Sequence, residues 1–259
     1  MKPVYAILLF LLLSGTQTGL GADEPSAQKI IEMTDEIRNS ERPFKLINRL
    51  TEYENGTPRN ELTLVVFAKK ENGSGQFRTL VRYVEPPRDE GKMVLFNGSL
   101  MWFYDSTSKT SVRISPQQRL IGQASEGDVV TVNLALDYRS RITGIESLDD
   151  ADRKSRECWH LDLLPASDAA MYGRIEYWVE KESYQPVKGK FYSDSGRLLK
   201  IAYYHKVRDE LGKHRPTETI IIDAVNPRLV TVMSYSNFQY QEIPENWFQR
   251  EFLPHVSAQ

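Results

Sequence analysis

Cysteine occurs once in the 259 residues, at Cys158, so no internal disulfide can form and stability must come from a packed core. Histidine is nearly as scarce. His160, His205, His214 and His255 make neither an H-x-x-x-H pair nor a Cys/His cluster, which excludes the usual zinc signatures. No G-x-S-x-G turn is present for a triad hydrolase, and no glycine-rich phosphate loop or cofactor motif occurs. Positive charge is not in excess: 33 Lys and Arg stand against 35 Asp and Glu, with no basic block, so nucleic acid is not an expected partner. Long hydrophobic runs are missing too. The apolar run at residues 4–13 has about ten residues, against roughly twenty for a spanning helix.

That run follows Met1-Lys2 and leads to the small residues Gly19, Gly21 and Ala22, the layout of a secretory signal cleaved after Ala22. Residues 1–22 are therefore expected to be a signal peptide and residues 23–259 one exported domain. No cysteine lies at the cleavage site, so the mature chain is expected to be soluble and without a lipid anchor.

The mature chain opens on one amphipathic helix, residues 26–39, with Ile30, Ile31, Thr34 and Ile37 at helical spacing. After Pro43 the texture changes to strand and turn. Runs at 44–53, 61–69, 76–84 and 110–115, and later at 158–164, 174–181, 187–193, 198–207, 217–224 and 230–238, read as strands divided by Gly, Asn, Asp, Ser and Pro. Three Asn-Gly-Ser/Thr sequences match a glycosylation pattern, but each lies in an expected hairpin turn, and turn chemistry explains them. Residues 119–138 fit neither period well; by propensity they read as a loop with one helix over 127–138. The charged stretch 149–154 reads as a solvated hairpin tip, since no glycine-centred calcium loop accompanies its carboxylates. The expected class is mainly β (α+β): a single curved antiparallel sheet, an open half-barrel of about 11 strands covered by two or three helices.

The residues from Tyr83 to Tyr138 carry the most information. Asn97-Gly98 separates two apolar runs, 93–96 and 99–104, as a two-residue type I′ turn would. Both faces of this hairpin are apolar: Met93 and Leu95 alternate with Val94 and Phe96, and Leu100, Trp102 and Tyr104 alternate with Met101 and Phe103. Helices can bury one face. The other needs a second cover, for which a bound apolar ligand is a candidate.

Taken in order, Pro86-Pro87, Gly91, Asn97-Gly98, Met101-Trp102-Phe103-Tyr104, Val112-Arg113-Ile114-Ser115, Arg119-Leu120-Ile121-Gly122, Gly127-Asp128-Val129 and Leu134-Ala135-Leu136-Asp137-Tyr138 resemble the bacterial outer-membrane lipoprotein-sorting family with the Lol-carrier fold. The ending Ile243-Pro244-Glu245-Asn246-Trp247-Phe248, followed by Phe252-Leu253, is similar as well. The resemblance implies a periplasmic, non-enzymatic carrier of lipid or lipoprotein acyl chains, with 119–138 as a mobile cover over the sheet. It also implies an inner-membrane export pump as handover partner. A monomer is expected, with no cofactor, metal or catalytic residue.

Aromatic and aliphatic side chains on strands are plentiful. Phe67, Leu95, Trp102, Tyr104, Trp159, Tyr177 and Tyr203 are the residues expected to line an apolar ligand cavity. Two alternatives remain open: a sensor of mislocalised lipoprotein on the same fold, and a secreted hydrolase of a lipid-like substrate. Intact co-purifying lipid distinguishes a carrier, a stable protein partner a sensor, and turnover of an ester probe an enzyme.

Overall fold

The computed structural model describes residues 24–98, 100–166 and 170–256. The expected signal peptide and its cleavage point lie outside the described residues. Among those described, the strands build one 13-stranded antiparallel sheet whose order runs β6-β5-β4-β3-β2-β1-β15-β14-β13-β12-β11-β10-β9. The expected class holds: one open antiparallel sheet, mainly β, with helices on it. Strands β1 (Phe44–Glu54), β2 (Thr57–Lys70), β3 (Phe77–Glu85), β4 (Met93–Asn97), β5 (Leu100–Asp105) and β6 (Thr110–Ile114) form one meander. A small ribbon of β7 (Arg119–Ile121) and β8 (Ala124–Ser125) stands apart from the sheet. The second meander runs from β9 (Tyr138–Asp149) through β10 (Ser155–Pro165), β11 (Arg174–Glu180), β12 (Pro186–Tyr192), β13 (Leu198–Glu210) and β14 (Lys213–Asp223) to β15 (Leu229–Tyr240). Pairing of β1 with β15 joins the two meanders. Register shifts at Lys45/Ile47, Glu52/Tyr53, Thr63/Leu64 and His160/Leu161 add the local bend and twist that a wrapped sheet needs.

Helix α1 (Ala27–Arg38) starts where the Ser26 hydroxyl accepts the Lys29 N–H, and it buries Ile30, Ile31, Thr34 and Asp35 on the sheet. Residues 119–137 lie on the same face. The helix expected over 127–138 is much shorter: a 3-10 turn at Glu126–Asp128, then an irregular stretch that begins with bends at Val129 and Val130, then α2 (Leu134–Asp137), which Asn133 caps. Val129, Val130, Thr131 and Val132 are four consecutive β-branched residues, whose stiff side chains disfavour helix. Gly122 brings the ribbon onto the sheet. Its φ is +54°, and a Cβ there would sit 2.2 Å from Thr231 Oγ1, a hydroxyl that accepts the Gln123 N–H at 2.7 Å.

The two-faced apolar hairpin has a cover on each side, and both come from the chain itself. Val94, Phe96 and Met101 join the core under α1 and residues 120–137. Met93, Leu95 and Tyr104 point the opposite way, with Phe67 and Leu80, and are covered by Ile243, Trp247, Phe248 and Leu253 of the C-terminal 3-10 turns Glu245–Phe248 and Arg250–His255. Asn97 is the last residue of β4, paired with Leu100, and not a central turn residue. Its side-chain amide donates to the Phe248 carbonyl at 3.0 Å, which ties the C-terminal segment to the hairpin.

Candidate ligand cavity

The face under α1 does not close completely. Two adjoining cavities of about 120 and 90 Å³ remain between the sheet and its cover, sharing Arg38, Asp128, Val130, Tyr204, Thr219 and Tyr235. The smaller is mainly apolar, lined by Val132, Leu134, Ile175, Ala202, Ile221 and Met233. The larger adds Phe44, Leu46, Val66 and Phe238, together with the polar Asn48, Thr131 and Arg215. An apolar cavity of about 150 Å³ admits benzene, so each of these is sized for a ring or a few methylenes. A long chain can enter only if the cover moves.

The cover is hung on polar contacts. Asp128 pairs with Lys200 of β13, and its other oxygen accepts the Tyr172 hydroxyl at 2.7 Å. Glu126 accepts the Tyr83 hydroxyl at 3.1 Å, the Thr131 N–H meets Thr79 Oγ1 at 3.2 Å, and Asn39 donates to the Val132 carbonyl at 2.9 Å. Asp35 Oδ2 of α1 accepts the Ala135 N–H at 2.8 Å, and Asp137 accepts from Gln76 at 2.6 Å. Each such bond contributes about 1 kcal/mol net, so several together hold a segment that can still open.

Three of these carboxyls titrate late. Burial pushes Asp35 up to about 6, against the opposing pull of the Arg38 guanidinium and the Ala135 N–H. Burial and then the Asp35 charge raise Asp137 to about 7, and burial raises Glu126 to about 7 despite the Tyr83 hydroxyl. The closed cover therefore holds protons that the released carboxyls give up near pH 4, and closure is strongest at or below that pH. It weakens as pH rises through 6 and 7. Hydrogen exchange in residues 124–137, corrected for intrinsic rate, is expected to be at least about tenfold faster at pH 8 than at pH 5, a loss of about 1.4 kcal/mol in the cost of opening. Equal protection at both values, or more at pH 8, would count against a protonated latch.

None of the seven side chains expected to line a shared cavity lines either of these two. Phe67, Leu95 and Tyr104 are buried on the opposite face under the C-terminal segment, with Trp102 packed beside them. Trp159 and Tyr177 lie in the core under α1; Trp159 packs on Tyr184 with ring centroids 5.2 Å apart. Tyr203 follows Ala202 and so points away from the cavities, with Lys188 Nζ 5.3 Å from its ring centre. The seven thus divide between two faces. The residues that do line the cavities include Tyr204 and Tyr235, and Phe191 at one end. Lys200, Ala202 and Tyr204 share one face of β13, an alternation readable in the sequence. Cys158 is fully buried on the other face, where burial pushes its thiol up to about 12. His160 stacks on Trp178 at 4.3 Å with Nδ1 3.1 Å from Glu146.

A half-barrel with a segment lying across its face is the fold of the LolA superfamily. The chain is similar to a LolA superfamily protein from Nitrosomonas europaea, with 29% identity and a TM-score of 0.78 over 88% of this chain and 100% of that one. A DUF1329 family protein from Desulfovibrio piger matches at 17% identity and TM-score 0.74, covering 88% and 97%. A putative outer membrane lipoprotein-sorting protein domain from Vibrio parahaemolyticus matches at 18% identity and TM-score 0.68, covering 88% and 99%. No curated protein matches. A family model described as "Uncharacterized protein" matches residues 75–255, more than half of the chain, and the chain belongs to that family.

Proposed function

We propose that the protein is a non-enzymatic periplasmic carrier that holds an acyl chain of a lipid or lipoprotein between the sheet and residues 119–137 on the way to the outer membrane. The observation that carries this reading is the pair of adjoining cavities beneath a cover held by separate polar contacts. The lipoprotein-sorting description of the Vibrio parahaemolyticus domain supports the same direction. Among the described residues neither cavity is lined by histidine, cysteine or serine, which favours holding a chain over cleaving one. In this reading an inner-membrane export pump hands the chain over, a partner drawn from the family resemblance.

The energetics suit transient binding. About fourteen buried methylenes contribute on the order of 11 kcal/mol gross. Association entropy and ordering of the cover remove several kcal/mol, which leaves an affinity of roughly micromolar. Titration of a fluorescent fatty acid into delipidated protein is expected to saturate and to change exchange in residues 119–137. Absence of saturable binding by well-folded protein would overturn the carrier reading.

A further inference from the structure

Two cations are buried beneath the cover, and they are not treated alike. Lys200 is paired with Asp128. Arg215 of β14 is 2% exposed, and among the described residues no carboxylate makes an ion pair with it. Its Nη1 and Nη2 donate to the main-chain carbonyls of Arg38 and Asn39 at 3.2 and 3.4 Å, at the C-terminal end of α1, while Nε is buried without a partner. The Phe238 ring lies 5.8 Å away. Two neutral carbonyls and a ring are a poor substitute for the water and counter-ion that a guanidinium loses on burial.

A second orphan faces the same space. Asn48 of β1 is 1% exposed, and both its Oδ1 and its Nδ2 are buried without partners. Asn48 and Arg215 both line the larger cavity, so a buried guanidinium with no ion pair among the described residues and a buried amide with no hydrogen-bond partner border one space. Water could satisfy the amide but would leave the guanidinium without a direct ion pair, the Glu210 carboxylate acting on it only at longer range. Arg215 also lines an open cleft of about 640 Å³, with Arg42, Lys70 and Lys213 among its walls alongside Glu32, Glu36 and Glu41. On its inner side the cavity adjoins the apolar one.

We propose that Arg215 and Asn48 form a head-group site for one anionic oxyacid group, a carboxylate or a phosphate, of an amphiphile whose chain lies in the apolar cavity. The site rests on the carrier reading and adds polarity to it: head toward the cleft, tail toward Ile221 and Met233. Arg215 is suited to the task because its planar donors match a carboxylate or phosphate edge.

The test is calorimetric titration of the delipidated full mature chain with laurate, dodecyl phosphate and dodecan-1-ol, which share one alkyl chain. At least one anion is expected to bind about tenfold or more tightly than the alcohol, the size of effect a charge-assisted hydrogen bond supplies. Preference for laurate assigns the site to free acids; preference for the phosphate assigns it to phospholipid-type heads. Arg215→Gln is expected to abolish the preference while dodecan-1-ol affinity persists, and Asn48→Leu to reduce it. Should Arg215→Gln fail to fold, Arg215→Lys, which keeps the charge but not the planar fork, must narrow the preference along with Asn48→Leu. Equal binding of all three ligands by the wild type, or a preference that survives these substitutions, would overturn the head-group site and leave the carrier reading standing. Binding of none of the three would sink both.

Discussion

A chain ending before Ile243 is expected to lose its cooperative fold and to associate through exposed apolar surface. The C-terminal turns are the outer wall of a core. Ile243, Phe248 and Leu253 are 3%, 1% and 0% exposed, and Trp247 stands edge-on to Phe67 with centroids 5.2 Å apart. Without them, Phe67, Leu80, Met93, Leu95 and Tyr104 would form a contiguous patch of the sort that drives aggregation. Trp247→Ala alone is expected to cost about 3–5 kcal/mol, against a typical total stability of about 5–15 kcal/mol. The Glu245 contacts with Lys69 and Arg78 lie at the surface, so Glu245→Gln should cost less than about 1 kcal/mol. Thermal denaturation and size-exclusion chromatography of the three variants decide the matter. A truncated chain that stays monomeric with an unchanged midpoint would show that the opposite face tolerates exposure, and would make that face a candidate for binding.

The class of fold was legible because alternation in strands such as Arg174–Glu180, and turn residues between them, are local signals. The two-sided apolar hairpin was legible too, but not the identity of its second cover, since the pairing of Phe67 with Trp247 spans most of the chain. Strand β9 leaves little trace in the sequence. It is an edge strand with a neighbour on one side only, so Arg139, Arg141, Thr143 and Glu146 can occupy it without burial, and its pattern shows few apolar residues. The expected helix at 127–138 shrinks to one turn for a different reason. Propensity summed across the segment hides the β-branched run 129–132, and packing on the sheet holds that irregular stretch with partners such as Thr79. The cavity-lining set was the least legible part. Large aromatics are the natural candidates for a wall, whereas much of this wall is small or polar: Ala202, Thr219, Asn48 and Arg215. A buried Arg on a strand looks like a surface residue until the element above it, here the end of α1, is known.

Filling the apolar cavity from the sheet side is expected to abolish acyl-chain binding with limited harm to the fold. Ala202, the fifth residue of β13, is 3% exposed and lines the cavity together with Val130 and Val132 of the cover. In Ala202→Phe the ring takes the space of the cavity itself. Overpacking of this kind costs about 1–3 kcal/mol, which a chain of this size should survive. Exclusion of about four methylenes removes roughly 3 kcal/mol of transfer energy, so fatty-acid affinity should fall by at least about a hundredfold. Trp102→Glu provides the contrast. Trp102 lies on the other face beneath the Arg250 guanidinium, 4.5 Å from the ring centre, where a carboxylate would find a cation and touch no part of the cavity. Its affinity for the same fatty acid should therefore match the wild type. Both variants are compared by tryptophan-independent calorimetry after their thermal midpoints have shown them folded. If Ala202→Phe binds normally while Trp102→Glu does not, the chain sits under the C-terminal segment, and the head-group role of Arg215 falls with it, because no ligand on that face can reach a side chain that lines the cavities under α1.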